Sequence, residues 1–227
     1  MTNVQSSPDA PSVAGMRMAH RIMTGDLIRL TSAVERIADG TTRCPDDRAT
    51  ALASWLDELA AEIRHHHRIE DDVAWPVITA AAGECVDLSE LTGDHAALEP
   101  MLDGVRDACA AVVAAPAEQR ATAARPLATA LAELRDHLLE HIENEETTLF
   151  PIIRRHVPVT EWVKVEQAAG TGGGRMAFQL PRMLDATTPA ERAEVLAAAG
   201  AGTRVVLGLL GALLRPGYRR RERLVFG

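Results

Sequence analysis

The chain has 227 residues and 24.4 kDa, room for one large domain or a medium one with an appendage. Hydrophobic residues reach 47% but aromatics only 3%, and 39 alanines favour helix; the β-branched and aromatic stock of strands is thin, which argues against an ordinary all-β domain. A formal charge of −8 and a pI near 5.5 remove the basic footprint of a nucleic-acid binder.

In chain order, the opening MTNVQSSPDAPSVAG lacks a basic region followed by an apolar one, so residues 1–15 read as a disordered leader and not as a signal peptide. A first helix follows with the seam Met16, His20, Met23, Leu27, Leu30, Val34, Ile37, in steps of three and four. The turn ADGTTRCPDD closes it, with Pro45 placed to open the next helix. The second helix has the seam Leu52, Leu56, Leu59, Ile63, His66, Glu70, Val73, Val77. A third runs through Leu91, His95, Leu98, Leu102, Val105, Cys109, Val112, and AAPAEQ leads to a fourth through Leu127, Leu131, Leu134, Leu138, His141, Glu145, Thr148, Ile152. Pro100 and Pro126 predict kinks or a later helix start. Cys44, Cys85 and Cys109 have no ligand or redox spacing and read as reduced thiols of a cytoplasmic protein.

These four segments are two copies of one unit. Residues 19–78 laid on 94–153, without gaps, match at thirteen positions, among them His20/His95, His66/His141, Glu70/Glu145 and Pro76/Pro151. Amphipathic helices with short connections predict an all-α, up-down-up-down four-helix bundle over 16–155. The remainder, 156–227, reads as a helical extension: EWVKVEQ, a GTGGGR turn, a helix opened by TTPAER, and a terminal helix around the ten apolar residues Val205–Leu214. Ten residues are too few to span a membrane, so packing is expected there, with lipid contact by the following arginines the weaker alternative.

Six seam positions hold His or Glu where apolar side chains belong: His20, His66, Glu70, His95, His141 and Glu145. Antiparallel neighbours bring all six to the same level of the bundle. Buried carboxylates are paired or coordinate metal, and His and Glu at i, i+4 project from one helix face. Two facing glutamates can bridge two cations while histidines bind terminally, and nitrogen and oxygen donors without thiolate suit iron or manganese. Glu99, one turn after His95, is an additional ligand candidate, asymmetric because its repeat partner is Thr24; His65 and His67 flank His66 off the seam and read as supporting or solvent-facing, with ligation the weaker alternative for His67, and His137 and His156 read as peripheral.

The runs AHRIM, HHHRIEDDVAWPVI, DHAALEP and HLLEHIENEETTLFPII, over about 16–155, resemble the hemerythrin-like family of His-His-Glu cation-binding domains. The resemblance implies a carboxylate-bridged centre of two non-haem irons, His20 and His66 serving one, His95 and His141 the other, with Glu70 and Glu145 bridging. In the oxygen-carrier branch a His stands where this chain has Glu99, and a bridging Asp lies five residues after the last His, where Glu145 is four after His141. These departures imply O2, peroxide or NO chemistry, or sensing of iron, in preference to reversible O2 carriage. A single Glu-x-x-His, Glu62 to His65, gives ferroxidase or storage function little support.

Overall fold

The computed structural model describes residues 10–171, 174–188 and 201–227, the side chains of 201–207 excepted. Its helices are α1 (Ala14–Ala38), α2 (Asp46–Ile69), α3 (Trp75–Ala82), α4 (Ser89–Ala114), α5 (Arg120–His156), α6 (Val159–Ala169), α7 (Met176–Ala186) and α8 (Ala201–Phe226). No strand occurs among the described residues. The first nine residues of the expected leader, and most of the helix expected from TTPAER, lie outside the described residues; Ala14 and Gly15 already belong to α1.

The bundle is α1, α2 with its continuation α3, α4 and α5, as the repeat predicts. Pro45 takes the position before α2, whose first turn presents Asp46 and Asp47 to the helix N-terminus. At that end Arg120 is buried: it donates to the carbonyls of Cys44 (3.0 Å) and Val112 (3.2 Å) and pairs with Asp46 at 2.7 Å, tying both inter-helix connections together. Cys44 and Cys109 are buried free thiols, and burial raises the Cys109 thiol to about 12.

Neither Pro100 nor Pro126 delays the start of its helix. Helices α4 and α5 run through Pro100 and Pro126, and α5 begins at Arg120, ahead of its proline. The interruption comes before Pro76, where Glu70–Ala74 form a π turn and the Trp75 amide reaches back to the Glu70 carbonyl. A proline supplies no amide and crowds the carbonyl four residues earlier, so the helix widens upstream of it. The repeat partner Pro151 lies inside α5 without such a turn.

Two apolar clusters fill the bundle. The larger holds Leu27, Leu30, Leu52, Leu59, Leu102, Leu131 and their neighbours; the smaller, at the far end, holds Ala74, Trp75, Ile78, Leu91, Leu149, Phe150 and Ile153. Beyond the glutamates the buried positions advance in fours (Glu70, Ala74, Ile78, Ala82 and Glu145, Leu149, Ile153) in place of the expected Val73, Val77, Thr148 and Ile152. After Glu70 the π turn inserts one residue and so moves the buried face on by one; α5 makes the same shift without such a turn.

The extension packs on α1 and α2. Trp55, fully buried, meets Phe178, Tyr218 and Phe226, with ring centroids 5.1, 5.6 and 4.9 Å away, so four of the chain's few aromatics join bundle and extension. Trp55 Nε1 donates to Asp26 (2.8 Å), and Asp26 pairs at 2.9 Å with the buried Arg182 of α7, which also pairs with Glu62. Three of the C-terminal arginines are engaged within the molecule: Arg219 with Asp185 at 3.0 Å and with Glu222, Arg221 with Glu58 at 2.6 Å, Arg215 with Asp185. No helix among the described residues is long and apolar enough to cross a membrane.

Removing one partner of a buried ion pair costs about 3–5 kcal/mol, because it strands the other charge. Arg182→Ala should therefore lower unfolding stability by that amount in urea titration, and Asp26→Asn in the same chain should recover part of it.

Candidate metal centre

The site lies between the two apolar clusters. His20 comes from the first turns of α1, His66 from the last turn of α2, His95 from the first turns of α4 and His141 from α5; Glu70 opens the π turn and Glu145 follows His141 by one turn. His20, Glu70, His95, His141 and Glu145 are buried, and His66 is half-buried.

Their ligand atoms form two groups, each within 4.8 Å internally: His20, His66, Glu70 and Glu145, and His67, Glu70, His95 and His141. Glu70 is common to both. Its Oε1 lies 2.8 Å from His66 Nε2 and 3.9 Å from His20 Nε2, and its Oε2 lies 3.5 Å from His95 Nε2. Glu145 Oε2 stands 3.3 Å from His20 Nε2 and 3.9 Å from His141 Nε2, also between the groups.

Carboxylates outside the groups set the histidine tautomers. His20 Nδ1 meets Glu146 at 3.0 Å, His95 Nδ1 meets Asp71 at 2.9 Å, and His141 Nδ1 meets Asp94 at 3.3 Å. An ionised carboxylate only accepts, so each Nδ1 carries a proton, and each ring aims an Nε2 lone pair inward once that nitrogen gives up its own proton. Those nitrogens then face one another: His95 and His141 at 3.2 Å, His20 and His66 at 2.9 Å. Two bare lone pairs at such distances would repel, so without a cation one nitrogen of each pair must hold a proton. Two ligands at right angles on one cation, each about 2.1 Å from it, lie about 3 Å apart. The four oxygens of Glu70 and Glu145 and the Nε2 of His67 are likewise buried with no hydrogen-bond partner. This donor set fits cations and fits little else.

The protonation pattern of the metal-free site supports that fit. Burial lowers the affinity of His20 for a proton, but Glu145, Glu146 and Glu70 outweigh it and raise the imidazole to about 10. Burial and the neighbouring Glu70 charge push Glu145 well up, while the surrounding histidines hold Glu70 down against its own burial. Burial depresses His67 to about 2, and burial with the nearby His95 depresses His141 to about 4, so both rings are neutral and free to ligate.

Two sequence expectations change. Glu99 does not reach either group: its carboxylate pairs with Arg64 at 2.8 Å and its side chain is 55% exposed. On α4 it lies on the side facing α2, where a cation of the protein itself satisfies it. His67, left outside the six, enters the second group, stacked on His95 with ring centroids 4.2 Å apart. The signal was present as H-H-x-x-E, because positions three and four before a glutamate both neighbour it on a helix. Its place one position off the seam hid it, and the repeat partner of His67 is the apolar Ile142. His65 contacts Arg68 at 3.1 Å on the exposed side of α2, and neither His137 nor His156 belongs to a group.

A family model, the hemerythrin HHE cation binding domain, matches residues 12–199. The chain belongs to this family. The match passes the expected bundle end at 155 and takes in α6 and α7. Among curated proteins the chain is similar to the iron-sulfur cluster repair protein YtfE of Edwardsiella ictaluri (29% identical over 134 residues) and of Yersinia pseudotuberculosis (28% over 134). Each alignment covers 58% of this chain and 58% of the relative, so the chain matches well under two thirds of those proteins' length. No solved structure matches it.

Because Glu70 serves both groups, Glu70→Gln should lower bound metal at both positions, while His20→Ala and His95→Ala should each lower it chiefly at one. Elemental analysis of protein purified without added metal measures this. Asp71→Asn or Asp94→Asn should weaken metal binding by roughly 10–100-fold, as loss of a ligand's orienting partner does.

Proposed function

We propose that the centre holds two non-haem iron ions and that the protein reacts with, or senses, O2, peroxide or NO. The observation behind this reading is the pair of donor groups sharing one buried carboxylate, Glu70, with Glu145 beside both. Imidazole and carboxylate without thiolate suit iron, with manganese second, and family membership and the iron-centred naming of the relatives agree. Bound iron would supply electrons to a small oxygen- or nitrogen-containing ligand.

The residues of the chain do the rest. His20, His66 and the shared glutamates would hold one ion; His67, His95 and His141 with Glu70 would hold the other. Glu146, Asp71 and Asp94 keep three of the imidazoles in the ligating tautomer. The apolar clusters on both sides exclude water. With imidazole at His67 and Glu99 drawn off by Arg64, the donor set holds five histidines, richer in nitrogen than the sequence alone implied. A sensing role without turnover is favoured by one further contact: Arg182 of α7 pairs with Glu62, one turn before His66, and so links the extension to the site.

The protein as purified should contain close to two irons per chain, and mixing the reduced form with O2, hydrogen peroxide or NO in a stopped-flow spectrometer should give a fast optical change. His66→Ala and His141→Ala should slow that change at least a hundredfold. Zinc alone, or no metal, overturns the reading, and a stable, reversibly bleached O2 adduct would assign carriage in its place.

A further inference from the structure

The centre is sealed on most sides. The side chain of His66 is 14% exposed, against 2% for His20, 5% for His95 and 1% for His141. His66 and Glu70 open on a cavity of about 370 Å³ between α1, α2, α6 and α7. Its walls are apolar and partly flexible: Met16, Met18 and Ile22 of α1, Trp162 and Val165 of α6, Met183 of α7. Helix α6 is fixed as the roof by Trp162, whose Nε1 donates to the Ser12 carbonyl at 2.8 Å, and by its packing on α2 and the π turn. The other approach to the site, over Arg17 and Glu146, reaches His20 only past its Nδ1 hydrogen bond.

The cavity is larger than a diatomic gas requires. At about 30 Å³ per water it would hold roughly a dozen waters, and it falls in the lower part of the range of about 300–1,000 Å³ that holds small organic ligands. Its polar groups are few: Glu62, which Arg182 pairs, Glu70 and His66 at the metal end, Gln179 and Glu166. Among the described residues the lining includes no Lys or Arg. Methionine walls adapt to irregular apolar shapes, and a mainly apolar wall whose one carboxylate outside those pairings is Glu166 disfavours an anion.

Resting on the reading of the site as a metal centre, we propose that this chamber is the approach to it. The chamber binds neutral organic molecules with an apolar body the size of a short branched alkyl group or one aromatic ring, such as an alcohol or alkyl hydroperoxide. The body contacts the methionines and the polar end faces His66 and Glu70. Helices α6 and α7, which add nothing to the donor groups, thereby select what reaches them.

The test uses the full, metal-bearing chain labelled with methyl-¹³C methionine and titrated with tert-butyl alcohol or with pivalate, an anion of similar shape. The alcohol should give saturable shifts at the Met16, Met18 and Met183 methyls and none at Met101, and pivalate should bind at least tenfold more weakly. Ala169→Phe, which fills the chamber from α6, should weaken alcohol binding at least tenfold without changing metal content. The two-probe comparison on the unaltered chain stands if that variant fails to fold. No saturable shift, or equal binding of pivalate, overturns the assignment. Iron content of the same samples separates the two readings. Iron without alcohol binding removes the chamber alone; alcohol binding without iron removes the metal centre and the chamber's role as its approach.

Discussion

Two glutamate side chains at the middle of an apolar bundle set the terms for everything around them. Glu70 and Glu145 are buried to 2% and 0%, and their oxygens have no hydrogen-bond partner. A carboxylate in such surroundings is destabilising by several kcal/mol unless positive charge meets it. Five imidazoles surround the pair, three of them anchored from behind by Glu146, Asp71 and Asp94. The apolar layers above and below determine that the compensating charge is held between the helices and not by solvent.

The internal repeat explains both the symmetry of this arrangement and its limits. Equivalent helices deliver His20 and His95, His66 and His141, Glu70 and Glu145 to one level. Below that level the halves diverge. Pro76 forces a π turn that starts at Glu70, whereas Pro151 leaves α5 intact; His67 adds a fifth imidazole where the other half has Ile142. Glu70, with an oxygen toward each group, is therefore the more evenly shared of the two glutamates, and Glu145 uses one oxygen toward both.

Much of this was legible in the chain because it rests on periodicity. The α4 seam matches the buried residues position for position, and the six ionisable seam residues converge as antiparallel geometry requires. What escaped depends on tertiary partners. Glu99 was drawn away by Arg64, a residue of another helix whose rotamer no spacing rule fixes. His67 was ranked low because it stands one position off the seam, yet its ring stacks on His95 and reaches the second group. The frame shift after Glu70 comes with the π turn, which no seam spacing announces. Pro126 lies within a helix that starts earlier, since the 3₁₀ turn Ala117–Gln119 ends the connection before it. The aromatic junction at Trp55 left no periodic trace, since Phe178, Tyr218 and Phe226 approach from distant parts of the chain.

That junction limits how the molecule can be divided. Asp26, buried, and Glu62, half-buried, stand on bundle helices yet pair with Arg182 of α7, and Trp55 obtains its ring neighbours from α7 and α8. A bundle cut after α5 would present water with a tryptophan and with two acids stripped of Arg182. Anyone borrowing this scaffold as a minimal metalloprotein would have to redesign the uncovered surface first, and evolution, having joined the parts through buried charge, could no longer exchange the tail freely.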